Sequence, residues 1–417
     1  MISGDTSYFH RDTCRLCASA DLTKVLTIPA TPPANAFVAE DQLDKIQPTF
    51  PLDVFFCEDC HHVQLLDIVN PAVLFENYVY VSGTSPVFVN HFEDYAAFVI
   101  DTYAPQPGAL IFDIGSNDGT LLKAFKKAGY QVLGVDPAKD IAARASAEGI
   151  ETIAGFFSPA MARDVRTAHG GASVITANNV FAHIDDLGGV LNGIAALLAD
   201  DGVFVFEVSY LLDVFEHTLF DTIYHEHLAY HTVAPLVSFM AAHGMELIGA
   251  ERVSTHGGSL RAVAQQTGGG KSVAPSVAQL IDLEKKMGLD KAETYRDFGL
   301  RIDVLKAELS TLLRASKDAG RTIAAFGAPA KATTLMYHFD IGADLIDFIV
   351  DDSPLKQGLY SPGMHIPVVP SSAIEEHKPD DIVILAWNFA TPIMAKLDSF
   401  KASGGRFIVP LPSLETH

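Results

Sequence analysis

The chain has 417 residues, 48% of them hydrophobic, and a formal net charge of −22. That length predicts two or three domains with real cores, and no apolar run is long enough to span a bilayer. The acidic field repels a polyanion, so no nucleic-acid partner is expected, whereas a small anionic substrate needs only a few local donors.

The first residues, MISGDTSYFHRDTC, lack the basic-then-apolar pattern of a secretion signal, which predicts a cytoplasmic protein without a membrane partner. All cysteines follow at once, as two C-x-x-C pairs, Cys14 with Cys17 and Cys57 with Cys60. Each pair offers two thiolates from one tight turn, and two such turns complete a closed, structural tetrahedral zinc site. Two disulfides are the competing reading, disfavoured in a cytoplasmic chain. Between the pairs, residues 27–37 are extended and proline-rich, and residues 50–57 read as a strand leading into the second knuckle. His61 and His62 follow as surface or interface residues. Residues 74–86 link to the next unit, with Tyr78 and Tyr80 on one face of an extended segment, and a helix is expected over 87–103.

Residues 110–120, LIFDIGSNDGT, are the centre of the chain. A short buried strand ends in Asp113, and Gly115 and Gly119 flank Asn117 and Asp118 before a helical stretch. A strand, glycine turn and helix present free backbone N–H groups to a ligand. The next strand, 131–136, ends in Asp136, where an acid holds ribose hydroxyls. Two readings fit: the S-adenosylmethionine (SAM) site of a class I methyltransferase, and an NAD site on a Rossmann sheet. The spacing D-x-G-x-x-x-G favours the first over the G-x-G-x-x-G of the second. The alternation of strand and helix repeats five times, implying a largely parallel, doubly wound sheet. Its fourth strand, 173–177, leaves Asn178, Asn179 and His183 at the C-terminal edge, where open α/β sheets bind ligands.

Residues 222–231, TIYHEHLAYH, then gather Tyr224, His225, Glu226, His227, Tyr230 and His231. The H-E-H spacing fails the H-E-x-x-H metal pattern, so acid–base chemistry is the better use of titratable groups at this density. His256, Gly257 and Gly258 read as a turn into a strand containing Arg261.

Residues 276–318 are expected to be a long helix or a broken pair bridging two domains. A second strand–loop–helix follows, in which Gly327, Pro329, Lys331, Thr333 and Thr334 form a candidate diphosphate cradle without a Walker A pattern. The following strands end at Asp351 and Asp352 and at Trp387 and Asn388. A second Rossmann-like half without G-x-G-x-x-G points to a nucleotide diphosphate rather than NAD.

Taken together, the paired cysteine module with CEDCHHVQL, the DIGSNDGTLL loop, and YHEHLAYHT followed by HGGSLR and GAPAKATTL resemble the sugar C-methyltransferases of deoxysugar biosynthesis. The resemblance is to the C-3′-methyltransferase type of the tetronitrose pathway and covers nearly the full chain. It implies a zinc-binding domain over 1–75, a SAM-dependent Rossmann-like methyltransferase domain over 76–272 and a Rossmann-like nucleotide-sugar domain over 273–417. It further implies methylation of C3 beside the ketone of a dTDP-linked 4-keto deoxysugar. Carried over by position, His227 is the base, Glu226 the adjacent acid, and Tyr224, His183 and Tyr78 complete the reacting centre. Cofactor contacts are expected from Asp113, Gly115, Asn117, Asp136, Asn178 and Asn179, and substrate contacts from Lys331, Thr333, Thr334 and Trp387. A monomer is expected. GDP-linked sugars, and O- or N-methylation of a small molecule, are the alternative readings.

Overall fold

The computed structural model describes residues 8–75, 83 and 86–417. The N-terminal unit holds strands β1 (Tyr8–His10), β2 (Leu22–Leu26), β3 (Val54–Cys57), β4 (Val63–Leu65) and β5 (Asp67–Val69). β1 pairs antiparallel with β5, and β2, β3 and β4 form an antiparallel ladder in which Phe55 faces Gln64. The two cysteine turns share one geometry. Ala18 N–H donates to Cys14 O (2.9 Å) and His61 N–H to Cys57 O (2.8 Å). Both fourth residues are left-handed, Ala18 at φ 62° and His61 at φ 65°.

The middle unit is a seven-stranded sheet. Five strands are parallel: β6 (Leu110–Ile114), β7 (Gln131–Asp136), β8 (Thr152–Ala154), β9 (Ala172–Asn178) and β10 (Leu198–Ser209). The next strand in the chain, β11 (Ala229–Tyr230), leaves this sheet and pairs with β4 of the N-terminal unit, Ala229 against Gln64 and Tyr230 against Val63. The chain returns through β12 (Met245–Val253) and β13 (Ser259–Gln266), both antiparallel to their neighbours, giving the order β12-β13-β10-β9-β6-β7-β8. The sheet is largely parallel as expected, with an antiparallel pair added at one edge, in which Met245, Leu247, Ile248 and Ala250 of MELIGAERV are buried. β6 lies between β9 and β7, so the strand order reverses beside its C-terminal end and opens a crevice there.

The helical stretch is a broken pair, Pro275–Lys286 and Ala292–Asp318, interrupted near Gly288 at φ 72°. The longer helix packs Tyr295 on Phe56 of β3, ring centroids 5.7 Å apart. The C-terminal sheet contains β14 (Ile323–Phe326), β15 (Phe348–Val350), β16 (Val368–Val369), β17 (Asp381–Ile384), β18 (Arg406–Val409) and β19 (Glu415–Thr416). Its order is β16-β15-β14-β17-β18-β19, parallel except for β19. β14 has the place in this sheet that β6 has in the first. Residues 357–369 fold back on themselves through an antiparallel bridge between Tyr360 and Pro367, and their last residues, β16, run parallel to β15.

Candidate active site

The four cysteine sulfurs lie within 4.8 Å of one another. Cys14 Sγ is 3.6 Å from Cys60 Sγ, and Cys17 Sγ is 3.6 Å from Cys57 Sγ. A disulfide needs about 2.05 Å, while Zn–S bonds of about 2.3 Å in a tetrahedron put sulfurs about 3.8 Å apart. The donor set therefore fits zinc. Arg15, buried between the knuckles, donates to the carbonyls of Leu65 (2.9 Å) and Leu228, which ties the metal module to the histidine-rich segment.

The glycine loop after β6 and the loop after β14 are built alike. Gly115 N–H donates to Val135 O (2.8 Å), and Gly327 N–H donates to Val350 O (2.7 Å). Asp136 accepts N–H bonds from Asn117 (2.8 Å) and Ala138 (2.9 Å). Asp351 accepts them from Ala328 (2.7 Å) and Ser353 (2.8 Å). Both glycines are left-handed, at φ 70° and 90°. A Cβ on Gly115 would collide with Val180, and one on Gly327 with Ala386. Each half thus ends its second strand in a carboxylate held open by its own loop, and each carboxylate oxygen keeps lone-pair capacity for a ligand.

Both carboxylates line one cavity of about 860 Å³. Asp113, Gly115, Asn117, Asn178 and Asn179 also reach it. Thr176 donates to Asp113 Oδ1 (2.6 Å), but burial still pushes the Asp113 carboxyl up to about 7. Asn179 turns the chain at φ 56° with its N–H on Glu207 O (2.8 Å), which delivers His183 to the cavity wall. Backbone N–H groups, carboxylates and amides at a strand-order switch are the donor set that a nucleoside cofactor such as SAM requires.

His227 and Tyr224 stand on the same wall. Thr222 O is 2.8 Å from His227 Nδ1. A carbonyl only accepts, so Nδ1 carries the proton and Nε2 of the neutral ring carries the lone pair. The Tyr224 hydroxyl donates to that Nε2 at 2.9 Å. His183 stacks on His227, centroids 5.0 Å apart and planes at 26°. Burial, then the neighbouring His227, holds His183 well below the ordinary histidine range, so it is a neutral donor. Glu226, next to His227 in sequence, is buried behind the cavity wall rather than lining it and accepts from Asn35 Nδ2 at 2.9 Å.

The rest of the dense segment faces elsewhere. His225 Nε2–H donates to Phe50 O (3.1 Å), and burial lowers its pKa to about 4. His231 packs between His62 and Phe181, and burial lowers its pKa to about 3. Neither lines the cavity, nor does Tyr230. Tyr78 lies outside the described residues.

On the C-terminal side, Lys331 lines the cavity, its ammonium 3.6 Å from the centroid of the Trp387 ring. Burial lowers its pKa against the opposing charge of Asp221. Three expected ligand contacts are placed differently. Thr333 spends its hydroxyl proton on Ala34 O (3.1 Å) and Thr334 on Ile223 O (2.7 Å), so neither is left to donate to a phosphate. Trp387 gives its N–H to Asp221 (2.6 Å) and backs Lys331 from outside the cavity wall. The sequence reading missed Lys356, whose Nζ donates to Ala328 O (2.8 Å) at the cavity edge, and Asn35. Asn35 left no signal in its proline-rich stretch; Lys356, just past the acid-terminated β15, was the findable one.

Three family models match the chain in series. Residues 14–75 match the "Putative zinc binding domain", residues 90–249 the "Methyltransferase domain" and residues 254–412 the "C-methyltransferase C-terminal domain". Over 401 residues the chain is 35% identical to the C-methyltransferase NovU of Streptomyces niveus, covering 96% of each. The chain belongs to the C-methyltransferase family. Two solved structures resemble it over less than half its length. Magnesium protoporphyrin IX methyltransferase of Synechocystis PCC 6803 with bound SAH is 17% identical over 43% of this chain and 83% of its own (TM-score 0.34). The PH0226 protein of Pyrococcus horikoshii OT3 is 14% identical over 45% and 95% (TM-score 0.37). This C-methyltransferase is a SAM-dependent enzyme with an N-terminal zinc-binding domain whose closed four-sulfur site leaves the metal no open position for chemistry.

Proposed function

We propose that this enzyme methylates C3 of a dTDP-linked 4-keto deoxysugar through an enolate formed by His227. The observation that carries the reading is the fixed tautomer of His227: Nδ1–H on Thr222 O leaves Nε2 as a base beside the Tyr224 hydroxyl. A C–H bond beside a ketone is acidic enough for such a base once the ketone oxygen is stabilised. His227 Nε2 takes the C3 proton, and the electron pair moves onto the ketone oxygen as the enolate forms. Neutral His183 is a nearby donor for that oxygen, and the Tyr224 O–H joins it once the substrate C–H takes its place at Nε2. The Thr222 carbonyl then supports the imidazolium. Bound SAM supplies the electrophilic methyl group to C3, and Gly115, Asn117 and Asp136 are the residues that would hold it.

The nucleotide end of the substrate belongs on the opposite wall. Lys331, Lys356 and the N-terminus of the helix Ala330–Phe339 supply positive charge for a diphosphate. Asp351, built as Asp136 is, is the matching acceptor for a sugar hydroxyl of the nucleoside.

The test is incubation with a dTDP-4-keto-6-deoxysugar in D2O, with and without SAM, read by mass spectrometry. The reading expects one added methyl with SAM and loss of a carbon-bound proton beside the ketone. A methyl gained on oxygen or nitrogen, or no carbon-bound exchange at all, overturns it.

A further inference from the structure

Glu226 is 3% exposed, and Asn35 Nδ2 donates to its Oε1 at 2.9 Å. Asn35 belongs to neither ligand loop. It comes from the strap between the two cysteine pairs, in a turn closed by Ala36 N–H on Pro33 O (3.0 Å). It lines the same cavity as His227.

The strap is anchored without this side chain. Thr333 donates to Ala34 O (3.1 Å), and Val38 and Tyr360 exchange both backbone hydrogen bonds (3.1 and 2.8 Å). Gly363 N–H donates to Gln47 Oε1 (2.6 Å), and Gln47 Nε2 in turn to Ala36 O (2.8 Å). Backbone and neighbouring side chains thus fix the strap against the C-terminal unit, and the Asn35 amide is left to address Glu226. An amide N–H on a buried carboxylate favours the anion and fixes its orientation. Aspartate at 35, nearly the same shape, would set two carboxylates in contact, where only one ionises readily.

We propose that Asn35 is a positioning residue: the zinc-binding domain reaches into the active site through it and keeps Glu226 ionised and oriented beside His227. The inference rests on the reading of Glu226 as part of the reacting centre.

The test measures kcat, KM and the pH profile of methyl transfer for Asn35→Ala and Asn35→Asp, with SAM binding followed by calorimetry. Losing a hydrogen bond to a charged group is expected to lower kcat roughly 10–100-fold, with SAM affinity kept. The Asp variant is expected to move the acid limb of the kcat profile to higher pH, a change that simple loosening of the strap does not produce. Should the Ala variant lose SAM binding along with its fold, the near-isosteric Asp variant decides. Wild-type kcat and an unshifted acid limb in the Asp variant overturn the proposal. A wild-type enzyme that neither methylates nor exchanges C3 overturns the reaction reading itself and takes this inference with it.

Discussion

Three histidines within seven residues of one segment end in three different environments, and burial separates them. His225 and His231 are closed off as neutral packing groups, while His227 keeps Nε2 toward the cavity. His227→Asn is therefore expected to slow turnover by roughly 10²–10⁴-fold with SAM affinity retained; near-wild-type kcat would remove it as the base. His225 carries a stability prediction. Its folded pKa is about 4, against about 6.5 for an unfolded chain. Between those values the unfolded chain binds a proton that the folded chain refuses. The contribution of a neutral His225 is thus full above about pH 6.5 and is lost as pH falls toward about 4. His225→Gln keeps an amide donor for Phe50 O and does not titrate. Its urea midpoint should fall less than wild type as pH drops through that window, and an equal fall would place the sensitivity elsewhere. The sequence marked this segment by its density of titratable groups. Which of them face the cavity follows from the turn that ends in β11, and that turn is set by β4, far back in the chain. Local pattern carries no trace of it. The hydroxyl partners of Thr333 and Thr334 were illegible for the same reason, since their acceptors, Ala34 and Ile223, are distant in sequence.

At the scale of elements, the two glycine loops are one device used twice. Each places a left-handed glycine against a neighbour too close for a Cβ, then hands a backbone N–H to the carboxylate ending the next strand. Alanine at either position meets both strain, of the order of 1–3 kcal/mol, and a clash. Gly115→Ala is expected to weaken SAH binding about tenfold or more while leaving dTDP binding near wild type. Gly327→Ala is expected to do the reverse. Calorimetry with each ligand separates the two, and an equal loss of both ligands from either variant would mean the loops are not independent sites. These loops were readable because strand, glycine and acid are adjacent in sequence. The antiparallel pair β12 and β13 was only half readable. Arg261 and its glycines announced β13, but β12 follows a helix through a single turn, with no punctuation stronger than Gly244.

For the molecule as a whole, the zinc-binding domain is bound to the chemistry by a strand, an arginine and an amide. β4 pairs with β11, Arg15 reaches the Leu228 carbonyl, and Asn35 meets Glu226. Metal loss should therefore be felt at the cavity although no metal stands there. Cys57→Ser is expected to lose bound zinc by elemental analysis, to melt several degrees lower and to lose most methyl transfer. A zinc-free variant with unchanged melting and activity would show that the module is dispensable. The β4–β11 pairing also bears on how the chain is made. During synthesis the N-terminal strands emerge first, but the strand that finishes their sheet leaves the ribosome only after much of the middle domain. Until then β4 is a bare edge, with Val63 and Leu65 uncovered beside a row of unpaired backbone groups. A fragment ending before Ala229 is left in that state permanently, and its natural fate is to find another edge like its own.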